Sequence, residues 1–136
     1  MRPVRRWLTR CHRPDGSREA VAVHFAVFSN GADGLPVIVV FTVGRYDPAT
    51  GAWTEWRLPG DAPQAYAVYV DERDDVWLSD FGANALVRFD PDTETFAIVS
   101  LLDPGAAVRQ ILGRPGEVWG AESGADALVV VRTDCA

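Results

Sequence analysis

The sequence predicts an all-β fold built from repeated four-stranded antiparallel units. Two blocks of sequence recur with nearly the same period: residues 44–53 return as residues 87–96, displaced by 43 positions, and residues 76–86 return as residues 118–128, displaced by 42. Two separate blocks that share one period rarely arise by chance. Units of about 40–45 residues with four strands each are typical of β-propeller blades. We therefore expect a partial β-propeller.

Four strands are predicted within one complete unit. The segments that predict them are rich in Val, Phe, Tyr and Trp, and lie at residues 66–71, 76–80, 85–90 and 95–101. No segment of the chain shows a 3.6-residue apolar period, so helix should be scarce. The tryptophan in each copy of the second block, Trp77 or Trp119, is expected to pack in the core between neighbouring blades.

The segments between the predicted strands carry turn residues. In Asp90-Pro91-Asp92-Thr93, Pro91 presets the backbone of the second turn position, and Asp90 can accept a hydrogen bond from the backbone two residues on. Residues 47–50 repeat this pattern. Both turns should therefore connect adjacent antiparallel strands.

The repeat does not extend over the whole chain. A blade before residue 66 would place a tryptophan near position 34, where the sequence has Gly34. Residues 1–43 are therefore an unassigned N-terminal segment, either a genuine part of the fold or a misread upstream region, and residues 44–136 are the partial set of blade repeats. Residues 44–58 predict only the last two strands of a blade. The repeats amount to about two four-stranded blades, whereas propellers close with about 4–8, so we expect a fragment.

The charge distribution restricts the partners. The net charge is −6; residues 1–20 hold six arginines against two acids, and the rest of the chain holds seven arginines against 17 acids. An acidic body repels phosphate backbones, so no nucleic-acid partner is expected. No apolar run approaches the ~18–20 residues of a membrane span, so no membrane partner is expected either. The apolar run at residues 20–28 is interrupted by His24, which favours a cytoplasmic location over secretion.

Seven residues are candidates for a ligand-binding face. In a propeller, one face collects the loops that lead into first strands and the turns between second and third strands. On this chain those positions hold Gln64, Tyr66, Asp80, Asn84, Arg109, Glu122 and Asp126. Acidic and amide residues at equivalent turn positions can also simply bond the turn backbone. Glu122 is the candidate cation ligand, and Arg109 could present its charge to a carbonyl or carboxylate of a small-molecule ligand.

The repeat resembles the streptogramin B lyase family, that is, virginiamycin B lyase and its relatives. The pattern is W-x-x-[DE]-x-G-x-[ND]-x-[IL] followed by R-[FY]-D-P-x-T, carried by residues 77–91 and 119–128, with further likeness at residues 53–60 and 63–68. The resemblance covers residues 44–132, and NHL-type propellers have similar blades. It implies a seven-bladed propeller and a magnesium-assisted lyase that linearises a cyclic depsipeptide antibiotic by elimination across its ester linkage. Such a reaction needs a base for a proton α to a carbonyl and a cation that polarises the carbonyl oxygen.

The sequence departs from the family pattern at the base. The resemblance implies a histidine after a proline at the start of a first strand, with acidic metal ligands. Tyr66 occupies that position, Val108 occupies it in the next unit, and no histidine follows His24. Since tyrosine side chains titrate near pH 10, a tyrosine is a poor base at neutral pH, and the catalytic residue stays unassigned.

Three hypotheses remain for the function. The first is a truncated lyase-like propeller without the catalytic histidine, and the second is a non-enzymatic NHL-like segment that binds a ligand or a protein. The third is a structural remnant. Since two blades would leave apolar sheet faces uncovered, self-association through those faces is also expected.

Overall fold

The structure, a computed structural model, describes residues 6–12, 18–26, 40–47 and 49–133. Within these ranges all regular structure is β-strand, which confirms the predicted all-β fold with antiparallel sheets. The described part of the chain contains no helix long and apolar enough to cross a lipid bilayer. The chain divides into two compact units, residues 1–63 and residues 64–136.

The first unit contains one antiparallel sheet of four strands. They are β1 (Arg6–His12), β2 (Arg18–Ala26), β3 (Val40–Tyr46) and β4 (Trp53–Arg57), hydrogen-bonded in chain order. The turn after β3 follows the predicted pattern, since Asp47 Oδ1 accepts the backbone N–H of Ala49 at 2.8 Å. The hydrogen bond from Thr50 and that from the backbone of Ala49 hold the pKa of the Asp47 carboxyl below its usual value.

The second unit contains two antiparallel sheets. The first has β5 (Ala65–Val70), β6 (Val76–Asp80), β7 (Ala85–Asp90) and β8 (Thr95–Ser100) in chain order. The second has β9 (Val108–Arg114), β10 (Glu117–Glu122) and β11 (Ala127–Arg132), with β10 in the middle. The bounds of β5–β8 agree with the four predicted strands to within one residue. In the turn between β7 and β8, Asp90 Oδ1 accepts the N–H groups of Asp92 at 2.9 Å and Thr93 at 3.2 Å, as predicted.

The boundary expected between residues 43 and 44 lies inside β3. The last two strands of the first sheet, β3 and β4, are the ones that residues 44–58 predict, but β1 and β2 belong to the segment left unassigned. Residues 27–39 separate β2 from β3, whereas only residues 81–84 separate the equivalent strands β6 and β7. The longer connection moves β2 out of the 42–43-residue period, so periodicity alone does not reveal it.

The two sheets of the second unit share a core. Its buried members are Trp77, Leu86, Val108, Ile111 and Val118. The sheets approach so closely beside Gly113 that a Cβ atom there would lie 2.5 Å from the Tyr69 ring. The Trp77 indole N–H donates to Asp71 Oδ2 at 2.9 Å, so the polar atom of this buried ring has a partner. The interpretation of Trp77 as a core residue is confirmed.

The interpretation of Trp119 as a core residue is wrong in this structure. Trp119 is 37% exposed, whereas Trp77 is 3% exposed. Side chains alternate along β10, so Val118 faces the core and Trp119 faces the other way. Sheet β9–β11 covers the Trp77 side of sheet β5–β8, but no sheet of the second unit, as far as it is described, covers the Trp119 side of β9–β11.

Candidate functional site

An aromatic pair and an arginine lie together on the second unit. The ring of Tyr66, at the start of β5, stacks on Phe81 with a centroid separation of 5.2 Å and an interplanar angle of 15°. The guanidinium carbon of Arg109, on β9, lies 5.8 Å from the centroid of each ring. Both distances allow a cation–π interaction. Of the seven candidates, Tyr66 and Arg109 are thus brought together, and Tyr66 is 50% exposed.

Asp80 holds the turn that carries Phe81. Its side chain is buried, and Oδ1 accepts backbone N–H groups from Gln64 at 2.7 Å, Gly82 at 2.9 Å and Ala83 at 3.3 Å. The Phe81 N–H in turn donates to the carbonyl of Gln64 at 3.0 Å. Asp80 therefore has the backbone-bonding role that the sequence left open as an alternative to ligand binding, while Gln64 is exposed.

Asn84 joins this turn to the loop before β9. Its Nδ2 donates to the carbonyl of Asp103 at 2.9 Å, and its Oδ1 accepts the N–H of Ala106 at 3.0 Å. Asn84 has a φ of 48°, a left-handed conformation that asparagine tolerates better than most residues. The side chain thus positions the loop that precedes Arg109.

Glu122 is a buried carboxyl next to a second carboxyl. Glu122 is 4% exposed. Its pKa is raised, first because burial disfavours the ionised form, then because of a hydrogen bond to Asp103 and the like charge of that residue. A carboxyl with a raised pKa is a better proton acceptor near neutral pH than an ordinary one. The Glu122 carboxyl therefore releases its proton less readily than an exposed glutamate does.

An open depression of about 430 Å³ adjoins Glu122. Its lining residues are Ala121, Glu122, Ser123, Asp126, Ala127 and Leu128. Asp126 is exposed and has a φ of 53°, so it also turns the chain between β10 and β11. The depression has room for a ligand group, and Ser123 connects it to Arg109 through a hydrogen bond from Arg109 Nε at 3.1 Å.

The donor set for the magnesium ion that the resemblance implies is incomplete. Among residues 6–12, 18–26, 40–47 and 49–133, no three His, Cys, Asp or Glu side chains are grouped as metal ligands. Glu122 has one carboxyl neighbour, Asp103, and the pair shares a hydrogen bond. The described residues therefore do not fit a magnesium site by themselves, and magnesium binding stays a prediction.

Among the site residues that sequence reasoning missed are Phe81 and Ser123. They are equivalent positions of the repeat, each directly after the acidic residue that follows the repeat tryptophan. The sequence offers no sign that the Phe81 ring meets Tyr66. The available signal is the equivalence of positions 81 and 123 in the repeat, which places both residues at the same face as Arg109.

Several solved structures are similar to this chain, among them the following three. A streptogramin B lyase is 19% identical with a TM-score of 0.55, over 82% of this chain and 46% of that protein. A catalytically inactive virginiamycin B lyase from Staphylococcus aureus, solved with quinupristin, is 13% identical with a TM-score of 0.56, over 98% of this chain and 60% of that protein. Selenomethionine-substituted virginiamycin B lyase from the same organism is 18% identical with a TM-score of 0.55, over 94% of this chain and 49% of that protein.

These similarities establish a fold relationship with the β-propeller lyases. The chain spans about half to three-fifths of the length of the proteins that it matches. No sequence profile of a known family matches it, and no curated protein does so either. With identities below 20%, the likeness concerns the fold of a partial propeller, as the sequence predicted.

Proposed function

We propose that this chain is a streptogramin B lyase-like propeller segment that binds a cyclic depsipeptide and does not open it. The fold relationship with streptogramin B lyases supports this proposal. So does the presence of one exposed face on which Tyr66, Arg109 and the depression beside Glu122 lie near one another. The single observation that carries it is the Tyr66–Phe81–Arg109 cluster; the resemblance implies the catalytic base at the position of Tyr66.

The described residues can bind and orient a ligand. The Tyr66 ring offers apolar contact, and the Arg109 guanidinium can donate hydrogen bonds to ligand carbonyl oxygens. Elimination further requires a group that removes the proton α to the ester carbonyl. Glu122 has a raised pKa, but its carboxyl is buried and lies beside that of Asp103. This arrangement supports the proposal that the chain binds the ligand without opening it.

The test measures binding and turnover separately. Quinupristin would be titrated into the protein by calorimetry, and opening of its ring would be followed by mass spectrometry, with and without magnesium. We expect saturable binding that Arg109→Gln weakens, and no ring opening by the natural chain or by Tyr66→His. Metal-dependent opening by the natural chain, lost in Glu122→Ala, would overturn the inactive part of the proposal. Absence of quinupristin binding would overturn the proposal that the chain binds a cyclic depsipeptide.

The second candidate function is a non-enzymatic NHL-like segment with a binding surface for protein. The observation that favours it is the exposed apolar face of sheet β9–β11, which contains Leu112, Trp119, Leu128 and Val130. If quinupristin does not bind while the chain associates through this face, the second function is the better description.

A further inference from the structure

Four side chains from four different segments form what we term the guanidinium platform. They are Tyr66 from β5, Phe81 from the β6–β7 turn, Arg109 from β9 and Ser123 from the β10–β11 turn. The two rings are stacked, and the guanidinium lies 5.8 Å from the centroid of each. The platform is exposed at Tyr66, Arg109 and Ser123. It is therefore an accessible group of aromatic surface and positive charge.

Backbone and side-chain hydrogen bonds hold the arginine in place. Ser123 Oγ donates to the carbonyl of Ala107 at 2.7 Å and accepts from Arg109 Nε at 3.1 Å. Gly124, the next residue, donates its N–H to the carbonyl of Ala106 at 2.9 Å, which ties the same turn to the same loop. A pre-positioned arginine loses less conformational entropy when it binds a ligand than a free one does.

The arginine of the platform differs in its partners from three other arginines of the second unit. Arg88 pairs with Asp75 at 3.1 Å, and Arg114 and Arg132 both pair with Glu117. Arg109 makes no ion pair with any residue that the structure describes; its Nε bonds a neutral hydroxyl. This is notable in a chain with a net charge of −6. Since Nε is engaged, the terminal amino groups, Nη1 and Nη2, are the donors left to a ligand.

We infer that the guanidinium platform binds a small planar molecule that carries a carboxylate. Two parallel hydrogen bonds from a guanidinium match the two oxygens of a carboxylate, which makes arginine the side chain suited to this recognition. A flat ring attached to the carboxylate can pack against the half-exposed Tyr66 ring. This inference goes beyond the proposed function, because it concerns an anionic ligand class and requires neither ring opening nor a cyclic depsipeptide.

The first experiment compares three probes on the full chain. Benzoate is flat and charged, benzamide is flat and neutral, and cyclohexanecarboxylate is charged but not flat. We expect benzoate to bind with a dissociation constant of about 1 mM, an affinity typical of so small a ligand with one ionic contact. We expect benzamide to bind at least about tenfold more weakly and cyclohexanecarboxylate several-fold more weakly. NMR titration reports the affinities, and the Nε–H signal of Arg109 should shift with benzoate.

The second experiment changes the platform. Arg109→Gln should weaken benzoate binding about tenfold or more, and Arg109→Lys should weaken it nearly as much, because an ammonium lacks the planar fork. Ser123→Ala should weaken it by a smaller factor, since the guanidinium stays but loses its anchor. Arg73→Gln is the matched control, because Arg73 is also exposed but meets no aromatic ring of the described residues.

Two results would overturn the inference. One is equal affinity for benzoate and benzamide, which would show that charge is not recognised. The other is a loss of benzoate affinity in Arg73→Gln as large as that in Arg109→Gln, which would indicate a general electrostatic effect. Circular dichroism checks that every variant is folded, and quinupristin binding, measured separately, keeps the outcome distinct from the proposed function.

Discussion

Sheets β5–β8 and β9–β11 are two copies of one repeat, yet their equivalent side chains have different surroundings. Trp77 is buried and donates to Asp71, whereas Trp119 is partly exposed and donates to Glu117 Oε2 at 3.0 Å. The indole N–H has an acidic acceptor in both copies, although the two acceptors come from different positions of the repeat, whereas the burial of the ring differs. Burial at these positions is therefore decided by the neighbouring sheet.

The acidic residues after each tryptophan differ in the same way. Asp80 accepts three backbone N–H groups and stabilises its turn, whereas Glu122, with a longer side chain, reaches Asp103 instead. One repeat position thus holds a turn-bonding carboxylate in one copy and a buried carboxyl beside a second carboxyl in the other. Equivalence in sequence predicts the location of a side chain but not its chemical role.

The largest expected effect separates the two tryptophans. Trp77→Ala should lower the free energy of unfolding by about 3–5 kcal/mol, because it leaves a cavity between two sheets and removes a donor from the buried Asp71 carboxylate. Trp119→Ala should cost about 1 kcal/mol or less, as for a surface residue. Urea unfolding followed by circular dichroism gives both values. Both values are measured at protein concentrations below those at which the chain self-associates, and equal losses would then contradict an exposed Trp119 in the single chain.

The second effect concerns the turn that anchors Arg109. A Cβ atom on Gly124 would lie 2.0 Å from the carbonyl oxygen of Gly105, a backbone atom that cannot move without displacing its loop. Gly124→Ala should therefore lower the free energy of unfolding by about 3 kcal/mol. The control is Gly105→Ala, where the φ of 66° is unfavourable but nothing lies within 4 Å, and which should cost only about 1 kcal/mol. A smaller loss for Gly124→Ala than for its control would show that the loop adapts.

The third effect concerns the uncovered face of β9–β11. Leu112 and Val130 flank Trp119 across the sheet, and Leu128 adds to this exposed apolar surface. The equivalent face of β5–β8 is covered by a sheet of the same repeat, so we expect a second copy of the chain to cover this one, face to face. Sedimentation velocity should show dimers or larger species. Leu128→Arg should weaken this association about tenfold, which corresponds to about 1.4 kcal/mol.

Leu102→Arg is the control for self-association. It makes the same chemical change at a residue that is 97% exposed and outside the strands. A chain that stays monomeric at all concentrations, or an equal effect of both substitutions, would contradict association through the β9–β11 face.

The smallest effect is a pH dependence of opposite sign at two glutamates. Because the folded-state pKa of Glu122 is raised, its ionised form opposes folding above that pKa, and the cost vanishes below the pKa of the unfolded chain. Glu122→Gln should therefore be more stable than the natural chain at about pH 8 and equal to it at about pH 3, well below the ordinary glutamate pKa.

Glu72 is the control for this pH dependence. It accepts the N–H of Gly116 at 2.8 Å, and this bond lowers its pKa. Its stabilising contribution is present above the unfolded-state pKa and is lost as the pH falls through the folded-state pKa. Glu72→Ala should consequently lose stability at neutral pH but not at low pH. Urea unfolding across the pH range measures how each substitution changes the free energy of unfolding. A pH dependence of the same sign for both changes would contradict the environments assigned to Glu72 and Glu122.

Much of the architecture could be predicted from the sequence. The 42–43-residue period and the Asp-Pro turns placed β5–β8 to within one residue, because alternating apolar side chains and turn residues act locally. Strands β1 and β2 could not be predicted in this way, because the longer connection at residues 27–39 interrupts the period before β3. Periodicity detects strands only where the connections keep their length.

The sequence by itself determined the repeat, the strand order of sheet β5–β8 and a set of candidate residues for one ligand-binding face. Only the tertiary structure decided which of those residues interact. It placed Arg109 against the Tyr66–Phe81 pair, engaged Asp80 and Asn84 in backbone bonds, and buried Trp77 while leaving Trp119 exposed. The physical reason is that strand and turn formation depend on short-range bonding along the chain, whereas burial and side-chain pairing depend on which sheet lies opposite.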